Sequence, residues 1–133
     1  MAGSMTNYLE VKLLDHTLGV TAFTMPETIF VALHSTDPGE EATGIEVVGG
    51  PAPGYARQPT VFGASTSGAP SSIKNATAGV FQDLPAVAVT HIGLWDSLTG
   101  GNLLYYTELT SARTAASGDS FNFEIDSLEV RMA

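Results

Sequence analysis

Apolar side chains recur at mixed three- and four-residue spacing in only one stretch of the chain: Leu9, Val11, Leu13, Leu14 and Leu18. Lys12, Asp15 and His16 fall between them, Asn7 stands three residues ahead of Glu10 as a capping pair, and Gly19 supplies a stop. The pattern predicts one amphipathic helix over residues 8–18, about three turns long, with Asn7 as its cap. Such a helix must dock. Its Leu9, Leu13 and Leu18 face either covers one end of its own domain or packs on a neighbouring subunit.

From Thr28 onward the signal changes to short β-branched and aromatic runs separated by Gly, Pro, Asn and Asp clusters. Strands are expected over residues 28–35, 55–62, 71–75, 78–82, 87–95, 102–109, 119–125 and 128–132. Pro59 cannot donate to a ladder, so the second of these belongs at an edge or a bulge. Asp96 to Gly101 forms a hairpin turn whose glycines can take positive φ. Phe121, Phe123 and Ile125 should share one face, with Asn122 and Glu124 on the other, and the neighbours Tyr105 and Tyr106 should face opposite sides. No tandem repeat or heptad run is visible. The expected fold is mainly β: an antiparallel sandwich or jelly-roll-like domain with one N-terminal α-helix. Residues 6–133 make a single domain, and Met1 to Ser4 ahead of a second methionine, Met5, read as a vector remnant before the native start.

Composition narrows the function. The 133 residues include no cysteine, which removes disulfides, thiolate metal sites and thiol nucleophiles together. Fourteen acidic side chains against five basic ones give a net charge of −9. That balance cannot neutralise a phosphate backbone, so nucleic acid is not an expected partner, and anionic membranes are disfavoured for the same reason. No apolar run approaches the roughly 20 residues that span a bilayer. Charged residues make up 14%, against about 25% in an average chain, which suits a surface with permanent neighbours. The loop from Asp37 to Pro53 carries four acids and no base, and a connection of that length usually binds something.

No chemical motif stands out. His16, His34 and His91 lack metal-ligand spacing, and the acidic loop lacks the alternation of a calcium loop. Ser65 and Ser67 lie in a Gly63 to Gly68 stretch one residue too long for a nucleophile elbow. Asn75-Ala-Thr77 matches a glycosylation sequon of the sort that arises by chance. His91 reads as a strand histidine bonded to a neighbour, and Trp95 as the anchor of a hairpin end. No catalytic, cofactor or metal residue is assigned.

The order of the segments is more telling. Asn7-Tyr-Leu-Glu10, Leu13-Leu-Asp-His16, Phe30-Val-Ala-Leu-His34, Thr36-Asp-Pro38, Gly54-Tyr-Ala-Arg-Gln58, Thr90-His-Ile-Gly-Leu-Trp-Asp96 and Thr99-Gly-Gly-Asn-Leu-Leu-Tyr105 follow one another, and Ala116-Ser-Gly-Asp119 closes before Phe121. In this the chain resembles small virion proteins of tailed bacteriophages, usually labelled phage tail fibre proteins, from about Thr6 to Ile125. The resemblance implies a non-enzymatic structural protein of the virion, assembled in the host bacterial cytoplasm, without a cofactor. Its partners would be other virion proteins and copies of itself, as a trimer or ring. Leu9, Leu13, Leu18, Tyr55 and Arg57 are the candidate interface residues, with Arg57 paired to an acid within the subunit or across a contact. Two rival readings are a decoration protein on the capsid and a module for host-surface glycan in which Trp95, Tyr55 or Tyr106 stacks on a sugar.

Overall fold

The computed structural model describes residues 4–132. Met1 to Gly3 of the proposed Met1–Ser4 remnant lie outside them, whereas Ser4, its last residue, is part of the first strand. In chain order the elements are β1 (Ser4–Met5), α1 (Asn7–Thr17), β2 (Ile29–His34), β3 (Gln58–Thr60), β4 (Ser71–Lys74), β5 (Gly79–Phe81), β6 (Val87–Trp95), β7 (Leu103–Ala115), β8 (Phe121–Phe123) and β9 (Glu129–Met132). All pairings are antiparallel. One five-stranded sheet runs β1-β7-β6-β2-β3, and two ribbons, β4-β9 and β5-β8, complete a sandwich-like, mainly β fold. Ser4 faces Tyr106 and Met5 faces Tyr105, so the sheet begins ahead of Thr6.

The two-residue period of the central strands sorts side chains between two faces. Val31 pairs with Leu94 and Leu33 with Ile92 on the inner face. There they meet Val89, Phe81, Leu84, Phe123, Leu128 and Val130 in one apolar core. Complete burial of such side chains stabilises by about 1.5–3 kcal/mol each, which is what holds the short ribbons to the large sheet. Phe30 pairs with Trp95, Ala32 with Gly93 and His34 with His91 on the outer face. Tyr105 packs against the core while its neighbour Tyr106 pairs with Gly93 on the outer side, as the alternation requires.

Three expectations need correction. The helix cap is Thr6 rather than Asn7: its hydroxyl accepts from the Leu9 amide and donates to the Leu103 carbonyl at 2.6 Å, tying the helix start to β7. Asn7 instead reaches the Glu41 carboxylate. Ile125 does not share the face of Phe121 and Phe123, because β8 stops at Phe123 and the chain turns through Asp126 at φ 65°, leaving Ile125 exposed. The strand expected to end at Leu109 continues to Ala115, since residues 113–115 pair with Val87 to Val89. Pro59 does sit in an edge strand, β3.

Candidate functional site

The outer face of the sheet gathers the polar residues. Gly93 is buried and leaves a gap between strands: a Cβ there would lie 2.7 Å from His34 Nε2 and 2.8 Å from Leu103 Cδ1. His34 occupies that gap. Trp95 Nε1 donates to His34 Nε2 at 3.3 Å, and the two rings stack with centroids 6.1 Å apart. The Arg57 guanidinium lies 3.9 Å from the Trp95 ring centre.

Arg57 is only 7% exposed and makes four hydrogen bonds. Nε and Nη2 form a two-pronged pair with Glu46, at 2.9 and 2.8 Å, while Nη1 donates to the carbonyls of Ser97 and Gly100, each at 2.8 Å. Tyr55 completes the network: its hydroxyl accepts from the Leu33 amide at 3.0 Å and donates to Glu46 at 2.7 Å. Asp96 closes the neighbouring turn by accepting from the Asn102 amide and side chain at 2.7 and 3.0 Å. One guanidinium therefore fastens the acidic loop and the Asp96–Gly101 turn to a common anchor. Above it a shallow depression is lined by Glu46, Val48, Tyr55, Arg57, Leu98 and Gly100, with Val48 and Leu98 exposed.

The electrostatics match this geometry. Burial works to raise the Glu46 pKa, but hydrogen bonds from Arg57 and Tyr55 and the Arg57 charge together hold it below the usual carboxylate range. Tyr55 is pushed up, first by burial and then by the Glu46 charge, and stays a neutral donor. His34 is lowered to about 4, chiefly by burial, with Glu46 opposing and Arg57 and His91 reinforcing the drop. Its Nδ1 is buried and has no hydrogen-bond partner.

This histidine makes the fold acid-sensitive. Between its unfolded pKa near 6.5 and the folded value of about 4, the unfolded chain binds the extra proton, so stability falls as pH drops through that window. The loss amounts to about 3 kcal/mol by pH 4. Glu46, whose pKa is depressed, adds a further loss as pH falls below the ordinary carboxylate value. Urea unfolding at pH 7, 6, 5 and 4 should show this slope, and His34→Gln, which retains an acceptor for Trp95, should flatten it above pH 5. An equal slope in the variant would remove His34 as the cause.

The residues singled out in the sequence are partly brought together. Tyr55, Arg57 and Trp95 share the network, and His91 lies beside it, with Nδ1 2.8 Å from Thr90 Oγ1 and Nε2 3.9 Å from Asp37 Oδ1. Leu9, Leu13 and Leu18 are separate: Leu9 is buried within its own subunit, Leu13 is half-buried and Leu18 projects. Two of the three aromatic faces offered for a sugar are already used, Trp95 by Arg57 and His34, and Tyr55 by stacking on Phe81 at 5.8 Å, while Tyr106 is half-buried on the outer side of the sheet. Among the described residues no group of three or more His, Asp or Glu could hold a metal ion. No helix among them is long and apolar enough to cross a membrane.

Glu46, His34 and Asn75 escaped the sequence reading. For Glu46 a signal existed, an acid inside the apolar run Ile45 to Val48 of an otherwise polar loop. Asn75 gave a misleading one. Its sequon match is incidental to a fully buried side chain that donates to the Thr77 and Glu124 carbonyls, each at 2.8 Å, and accepts from the Leu128 amide at 2.9 Å.

The chain as a whole matches a known family of virion components. The model of the family described as Podophage GP4 fiber I protein gp80 matches residues 4–131. The chain belongs to that family. Among curated proteins no match is found. The fibre I family accounts for the ordered segments that resembled phage tail fibre proteins, and it makes this a fibre-type structural protein of a phage virion. In this fibre I family member the Arg57 network ties the acidic loop to the Asp96–Gly101 turn.

Proposed function

We propose that this fibre I protein is a non-enzymatic subunit that works through shape, associating with copies of itself and with other proteins of the virion tail. The observation that carries the reading is the fate of its most reactive groups. Arg57, Glu46, Tyr55 and Trp95 spend their polar groups on one another, on His34 and on loop carbonyls, which fixes two loops in place. Large apolar side chains remain outside on separate parts of the surface: Val11, Leu14 and Leu18 on the helix, Val48 and Leu98 at the braced loops. That distribution suits a subunit with more than one neighbour.

Self-association is assigned to the braced end, where the Val48 and Leu98 side chains sit on a rigid support. Sedimentation velocity should give a mass above one subunit for the wild type and a single subunit for Leu98→Asp, with unchanged circular dichroism. Cryo-microscopy of the virion should place the protein on the tail. A wild type that stays monomeric at high concentration and is missing from purified virions would overturn the reading.

A further inference from the structure

The α1 helix has two apolar faces. At 3.6 residues per turn Leu9 and Leu13 point together, while Val11, Leu14 and Leu18 centre about 150° away around the axis. The first face is spent within the subunit, through buried Leu9 and half-buried Leu13. The second is bare: Val11 is 57%, Leu14 59% and Leu18 77% exposed. Its three- and four-residue spacing is that of a narrow helix-packing seam. The uncovered area is on the order of 300 Å², comparable to the largest apolar patch of a typical monomer, which is often functional.

Charge decides what covers it. Glu10 flanks the seam on one side and Asp15 on the other, about 70° from its centre. Lys12, the only lysine of the helix, lies further round, with its ammonium 5.7 Å from the Tyr8 ring centre. A second copy of α1 laid on this seam would bring acid against acid whether the helices ran parallel or antiparallel.

We infer that the outward face of α1 docks a different protein, one presenting an apolar stripe or groove edged with Lys or Arg. The leucines supply the burial and Glu10 and Asp15 select the partner by sign. The inference rests on reading the chain as a virion subunit. Absence of the protein from virions would remove that reading, whereas titration with a peptide probes the face itself.

Two synthetic amphipathic helices with identical leucine seams serve as probes, one edged with lysine and the other with glutamate. The full-length protein should bind the lysine-edged peptide in calorimetry and ignore the glutamate-edged one. Binding should weaken at least tenfold in Leu14→Gln, a change that leaves surface charge and circular dichroism unaltered, and should weaken again as salt rises. Equal binding to Leu14→Gln would mean charge attraction alone and overturn the inference, as would no binding of either peptide. An oligomer of the wild type that Leu14→Gln dissociates would give the face to a second copy and overturn it too.

Discussion

Glu46→Ala is expected to destabilise the protein by about 3–5 kcal/mol, because it leaves the Arg57 guanidinium buried without its anion. The structure makes this site sensitive for three reasons. Arg57 is 7% exposed, so its charge relies on the carboxylate more than on hydration. The same carboxylate also accepts from Tyr55, whose hydroxyl would lose its acceptor. Finally, Arg57 holds Ser97 and Gly100 by their carbonyls, and a guanidinium that swings toward solvent releases that turn. For a domain of this length the thermal midpoint should fall by roughly 10–20 °C. The double variant Glu46→Leu with Arg57→Met removes both charges and should cost less than Glu46→Ala alone. Scanning calorimetry on the three proteins measures this, and a Glu46→Ala midpoint within a few degrees of the wild type would refute the brace.

Asn75 should prove the second most costly position. Its side chain bridges three backbone segments, and its own carbonyl accepts from the Asp126 amide at 3.0 Å. Asn75→Ala strands two carbonyls and one amide in a fully buried place, for a cost of about 3 kcal/mol or more. Asn75→Asp is the more informative change, because it sets a carboxylate oxygen against the Thr77 and Glu124 carbonyls. Protonation restores a donor there, so the gap to wild type in urea unfolding should be smaller at pH 5 than at pH 7. A gap that is constant or widens would show that the amide hydrogens do not carry the effect.

How much of this could be read in advance depends on the range of the interaction. Strands whose identity rests on local alternation, such as β2 and β6, stand close to where the pattern of Val31, Leu33, Ile92 and Leu94 places them. The polar end of β7 was not legible. Residues 110–115 carry no apolar alternation, and Val87 to Val89 across the sheet hold the last three of them. The helix cap was misplaced by one residue because Asn7 and Thr6 are both good caps in isolation, and only the Leu103 carbonyl distinguishes them. At the site, Tyr55, Arg57, His91 and Trp95 were conspicuous by residue type. Their partners Glu46 and His34 were not, since an acid inside a short apolar run and a strand histidine name no partner until the topology sets His34 beside Gly93 and Glu46 beside Arg57.

Antiparallel order has a mechanical corollary. Strands β1 and β2 run in opposite directions, so α1 leaves the sheet and the chain re-enters it at the same end. The helix is thus a loop tethered at both feet. Tension on it would be directed lengthwise along β1 and β2, and ladder bonds perpendicular to the strands would bear that load together in shear instead of unzipping one after another.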